Sequence, residues 1–163
     1  MARLLALDVG EVRIGVAVCD ATGLLASPYT TLRAARAEAQ NWQAIQALIA
    51  ETEAEGLVVG LPVSLDGQIH AQGQRIQAFA ERLRSHVSVP VIMWDERLST
   101  VEAQRLLAQR SQDGDGKRQR RMHRQRPQTK RRKQGQEIDA LAAAVILQDY
   151  LDHLGSTPKE ENT

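Results

Sequence analysis

Three short stretches of this chain put carboxylates where apolar neighbours make them costly. Asp8 follows Leu4-Leu5-Ala6-Leu7, a run apolar enough to be a strand covered on both faces. Asp95 and Glu96 follow the apolar run Val89-Pro90-Val91-Ile92-Met93-Trp94, and Asp139 stands at the head of a helical pattern. A carboxylate in such surroundings is expensive unless it is paired or binds a cation. Several of them close together would raise one another's pKa values and call for a divalent ion. Oxygen-only ligands favour Mg²⁺ or Mn²⁺ over zinc. Two such ions about 3.5–4 Å apart can activate a water and stabilise the leaving oxygen during in-line attack on a phosphodiester. Ordinary readings exist for the same residues. Asp8 could open a turn, Asp95 or Glu96 could pair with Arg97, and Asp139 could favour a helix N-terminus through its dipole. The residue pattern alone leaves both open.

The elements that must position these groups can be read along the chain. Residues 3–9 predict a first strand, Arg13 to Cys19 a second with Ile14, Val16 and Val18 on one face, and Leu24 to Leu32 a third. Trp42, Ile45, Leu48 and Ile49 recur at helical spacing after Asn41, a candidate N-cap, with Gly56 ending the pattern. Leu57 to Gly60 predicts a short buried strand, and Ile76, Phe79, Ala80 and Leu83 mark a helix from about His70 to His86. Val89 to Trp94 predicts a fifth strand. Ser99 to Glu102 has capping-box spacing and predicts a helix through Leu107. Ile138, Leu141, Val145 and Ile146 mark a last helix to about Leu154, with Ala142 and Ala143 beside Asp139 letting it approach the sheet closely. An opening meander followed by strand–helix alternation implies an α/β fold with a mixed five-stranded sheet, three antiparallel strands and then parallel ones, flanked by helices. Ribonuclease H has that architecture.

The net charge of +1 over 163 residues conceals a strong asymmetry. Lys117, Arg118, Arg120, Arg121, Arg124, Arg126, Lys130, Arg131, Arg132 and Lys133 fall within seventeen residues that contain no acid. The rest of the chain carries eleven basic against twenty acidic groups, a balance of −9. A basic arm on an acidic body suits contact with a phosphate backbone, since without it an anionic substrate would be repelled. Gly114, Gly116 and Pro127 interrupt any pattern there, and the segment from about 112 to 136 is expected to be a mobile insertion. The expected organisation is one domain over 1–154 with that insertion, followed by a polar tail over 155–163. Aromatics are only 3% of the chain, which excludes an RNA-recognition module built on stacking rings. The single Cys19 excludes internal disulfides and clustered-thiolate metal sites. No apolar run approaches the ~20 residues of a spanning helix, and the N-terminus reaches Asp8 too early for a signal peptide, so a cytoplasmic protein without membrane contact is expected.

Leu5-Ala6-Leu7-Asp8-Val9-Gly10-Glu11-Val12-Arg13-Ile14-Gly15-Val16-Ala17-Val18-Cys19-Asp20 resembles the opening signature of the YqgF family, also called RuvX or Holliday-junction-resolvase-like. Four further stretches resemble that family in order: Val58 to Gly67, Gln77 to Ala80, Asp95 to Thr100, and Ile138 to Gln148. The resemblance spans about residues 3–151. It implies a ribonuclease H-like fold and a hydrolase acting on phosphodiester bonds, a nuclease maturing the 5′ end of pre-16S ribosomal RNA. Asp8, Glu96 and Asp139 are then the metal-binding and catalytic carboxylates, holding two Mg²⁺ or Mn²⁺ ions. Arg13 and Arg97, flanking the acidic cluster, and the ten basic residues of the arm would contact nucleic acid: structured RNA, or branched or single-stranded DNA. Ribosomal precursor particles are implied partners, with the chain a monomer or homodimer. A resolvase of branched DNA, or a binding factor that no longer cuts, are the rival functions. The chain departs from the family pattern at Val12, at Ser99, and in the length and basicity of the arm.

Overall fold

The computed structural model of the protein describes residues 2–96 and 128–156. Strands β1 (Leu4–Val9), β2 (Arg13–Cys19) and β3 (Ala26–Arg33) form the antiparallel meander. Helix α1 (Glu38–Thr52), strand β4 (Gly56–Leu61), helix α2 (Ala71–Arg84), strand β5 (Val91–Asp95) and helix α3 (Gln128–Ser156) follow. The sheet order is β3-β2-β1-β4-β5, with β4 parallel to both β1 and β5. Among the described residues no helix is long and apolar enough to cross a membrane.

The two-residue period of the strands divides the core in two. Leu5, Leu7, Ile14, Val16, Leu57 and Val59 point to one face and meet Trp42, Ile45 and Leu48 of α1 and Ile76, Phe79 and Leu83 of α2. Trp42 and Phe79, with ring centroids 5.0 Å apart, join the two helices. Leu4, Ala6, Ala17, Cys19 and Val58 point to the other face, which α3 covers with Ala143, Ala144, Ile146, Leu147 and Leu151. The second face is lined by small side chains, so α3 lies close to the strands.

Several elements differ from the sequence expectation. Helix α1 begins at Glu38, ahead of Asn41, whose buried side chain accepts from Ala35 N (2.9 Å) and so ties down the preceding loop. Its C-terminus is made by Glu53 in the left-handed conformation (φ 55°), while Gly56 opens β4. Strand β5 starts after Pro90, which has no N–H for the ladder; its carbonyl still accepts from Leu57 N at 2.9 Å. Helix α3 starts at Gln128, inside the segment expected to lack regular structure. Gln, Lys and Arg are good helix formers, and their lack of an apolar period hid the helix. Its buried stripe keeps the expected Val145 and Ile146 but is broader and shifted: Ile138 is exposed, while Ala140, Ala143, Ala144 and Leu147 are buried as well. The helix expected from Ser99 to Leu107 lies outside the described residues.

Candidate active site

Asp8 is on the α3 face of β1, in line with Leu4 and Ala6, where strand alternation demands a side chain pointing inward. On one side its register partner is Gly15 of β2. On the other, the pairing Leu7↔Val59 continues to Gly60 of β4. Asp8 therefore stands in a row between two residues without side chains. That row makes the room from which the site is built.

Each glycine admits one of the other two carboxylate residues. A Cβ on Gly15 would lie 2.0 Å from the backbone O of Asp139, so its absence lets α3 settle onto β2 at that residue. A Cβ on Gly60 would lie 2.0 Å from Oε1 of Glu96 and 2.6 Å from Cδ1 of Ile146. Glu96 reaches that space because β5 pairs Gly60 with Trp94, and Glu96 N continues the pairing by donating to Leu61 O at 3.0 Å. Trp94 packs in the α3 cluster, so alternation turns Asp95 to the opposite face and returns Glu96 to the α3 face. The adjacent Asp95 and Glu96 are thus distinguished by the pleat.

The electrostatics show the three groups to be neighbours. Burial, and then the Asp139 carboxylate, push the pKa of Asp8 up to about 6. Burial, followed by Asp8 and Asp95, pushes Glu96 up to about 7. Asp8 is the central member, coupled to both others. Arg13, on the same face of β2, donates from Nε to Asp139 Oδ2 at 2.5 Å. Among the described residues no three His, Cys, Asp or Glu side chains converge into a ready-made cation site, and Asp139 is paired with Arg13. The donors nevertheless fit a hard divalent cation in kind: all are oxygens, and burial together with neighbouring carboxylates makes the ionised forms of Asp8 and Glu96 costly, a cost that a cation would offset.

Other contacts hold this end of the molecule together. Trp94 Nε1 donates to Asp149 Oδ2 at 2.8 Å and its ring meets Tyr150 edge-on, joining the end of β5 to α3. Gln148 accepts from Ala26 N (3.0 Å) and donates to Leu24 O (2.9 Å), clamping α3 to the start of β3. Gly15, Gln148 and Trp94 were not singled out as site-building residues by sequence, although Gly15 and Gln148 stand inside the family-like stretches. Of the expected nucleic-acid contacts, only Arg13 has a described side chain. Lys130, Arg131, Arg132 and Lys133 fall on the backbone of the first turns of α3. Arg97, Lys117, Arg118, Arg120, Arg121, Arg124 and Arg126 lie outside the described residues.

A family model described as "RuvX: Holliday junction resolvase" matches residues 2–153. The chain belongs to the RuvX family. Relatives sharing the printed name "Putative pre-16S rRNA nuclease" include one from Thermoanaerobacter pseudethanolicus, 38% identical over 150 residues, covering 92% of this chain and 96% of the relative. Another, from Halalkalibacterium halodurans, is 40% identical over 151 residues with the same two coverages. Among solved structures, T. thermophilus RuvC in complex with a Holliday junction substrate aligns with a TM-score of 0.54 at 13% identity, covering 96% of this chain and 98% of that one. At that identity the likeness is one of fold: this RuvX chain has the ribonuclease H-like architecture expected from its strand order.

Proposed function

We propose that this RuvX-family chain is a divalent-metal-dependent nuclease that hydrolyses phosphodiester bonds, and that its substrate is the 5′ precursor segment of 16S ribosomal RNA. The observation that carries the reading is Asp8 half-buried in the row Gly15–Asp8–Gly60, with Asp139 and Glu96 brought to either side. Family membership and the names of the relatives support the reaction class and the RNA.

Asp8, Glu96 and Asp139 are the residues that would hold Mg²⁺ or Mn²⁺. Bound there, the cation would supply charge neutralisation of the phosphate and lower the pKa of water. The chain's own contribution is to bring these three carboxylate residues to one end of the sheet. Gly15 and Gly60 leave the space, Trp94 fixes the strand that delivers Glu96, and α3 delivers Asp139. The basic residues from Lys117 to Lys133 would grip the phosphate backbone without reading bases, offsetting the repulsion of an acidic body. The protein would work in the cytoplasm on ribosomal precursor particles.

The test is cleavage of end-labelled pre-16S RNA and of a four-way DNA junction by wild type and Asp8→Asn, with Mg²⁺, Mn²⁺ or EDTA. Metal-dependent cutting of the RNA that is lost in the variant is the expected result. Preferential cutting of the junction would replace RNA with branched DNA as the substrate. Binding without cutting under every condition would overturn the nuclease.

A further inference from the structure

Arg13 and Asp139 are 126 positions apart, yet Nε of one meets Oδ2 of the other at 2.5 Å. The approach is built into α3. Gly135 lies one turn before Asp139, and a Cβ there would come within 2.9 Å of Nη2 and 3.1 Å of Cζ of Arg13. The guanidinium thus lies along the helix over a glycine and ends on the carboxylate. Behind that carboxylate lies Asp8, on the same face of the sheet, one strand further in. Without a positive charge at Asp139, seating α3 against β2 would bring two anions together with nothing between them.

We infer that Arg13 is a placeholder for the divalent cation: it neutralises Asp139 in the metal-free protein and releases that carboxylate when the cation arrives. The inference rests on the nuclease reading, because it takes Asp139 as a cation ligand. Two features suit an exchangeable contact. The side chains of Arg13 and Asp139 are 37% and 27% exposed, so water can reach both partners. A pair of that kind contributes little to stability, and a doubly charged cation coupled to further carboxylates can displace it. Arg13 is in this view a positioning residue: it presets the helix and shares a carboxylate with the metal.

The direct test needs no substitution in the protein observed. In ¹⁵N spectra of arginine side chains of the full chain, the Nε–H signal of Arg13, assigned by its loss in Arg13→Lys, should be shifted and protected in EDTA. Saturating Mg²⁺ should move it to the position of a solvated arginine. A signal unchanged by bound Mg²⁺ would overturn the inference and leave the nuclease reading standing. Failure of Mg²⁺ to bind the wild type at all would overturn both. Calorimetric titration with Mn²⁺ is the second arm. Arg13→Gln should bind about three- to fivefold more tightly than wild type, the scale of a half-exposed ion pair no longer in competition. Equal or weaker binding would show that Arg13 does not compete for Asp139.

Discussion

The carboxylate of Glu96 occupies the space that a side chain on Gly60 would take, with Oε1 only 2.0 Å from where that Cβ would be. A strand residue chosen for having no side chain and a carboxylate from the next strand therefore form one unit. Gly60→Ala should displace the Glu96 carboxylate and press on Ile146 while leaving the strand's hydrogen bonds intact. Misplacing a reacting group by about 1 Å can cost roughly 10²-fold in rate, and overpacking costs about 1–3 kcal/mol. Cleavage should accordingly fall about 100-fold with only a modest drop in Tm. A variant as active as wild type would remove Glu96 from the site.

Gly15 faces backbone rather than a side chain, and its substitution should act differently. The obstructing atom is the carbonyl O of Asp139, which cannot swing aside. Gly15→Ala should lift the first half of α3 from β2 and destabilise the protein by about 3 kcal/mol, the upper end for overpacking. Hydrogen exchange should show the loss of protection centred on residues 136–144.

Asp8 carries a cost that depends on pH. Its folded pKa, about 6, lies above the ordinary 3.8, so between those values the folded protein binds more protons than the unfolded chain. Stability contributed by this group is then greatest at low pH and declines as pH rises through 6. Glu96, raised from 4.5 to about 7, acts in the same direction. Asp8→Asn should therefore abolish cleavage yet stabilise the metal-free protein at pH 8 by about 2–3 kcal/mol. On a chain of this length that corresponds to a Tm gain of about 4–12 °C. The gain should vanish near pH 4, where wild-type Asp8 is protonated in the fold. A less stable Asn variant at pH 8 would contradict the burial of the anion.

The same pKa values make cation binding a proton-linked event. Near pH 6.5 part of Asp8 and much of Glu96 carry a proton that a cation must expel. Affinity for Mn²⁺ should rise between pH 5.5 and 8, and calorimetry in buffers of different ionisation enthalpy should count the protons released. An affinity flat over that range would place the cation elsewhere.

The basic segment has its own signature. If about six of its charges contact phosphates of a single strand, log K should fall with log salt at a slope of roughly −4. Replacing the Lys and Arg residues between Lys117 and Arg126 with Gln should flatten that slope and weaken RNA binding. Mn²⁺ affinity should not change.

Much of the architecture was legible because apolar alternation and helical spacing report burial directly. Strand β2 was read at its observed limits, and the mixed topology followed from the order of elements. The ends of α1 and α3 were not, since polar helix formers carry no period: Gln128 to Glu137 is mostly Gln, Lys and Arg, with Gly135 among them. Asn41 has the residue type of an N-cap, but its side-chain bonds go to Ala35, a loop contact that no local pattern announces. Ile138 was placed in the core because hydrophobicity was read without the shape of the opposing sheet. The small residues Ala6, Gly15 and Ala17 draw in the alanine side of α3 instead.

For the site, the sequence by itself determined which residues could act: oxygen ligands after apolar runs, a conspicuous basic arm, and stretches resembling one family. It could not bring Asp8, Glu96 and Asp139 together, because positions 8, 96 and 139 converge only through strand register and helix docking. The tertiary structure decided that Gly15 and Gly60 flank Asp8, that the pleat puts Glu96 and Asp95 on opposite faces, and that Arg13 rests on Asp139. Those are properties of space between chain segments, and a glycine's contribution to them is the atom it lacks.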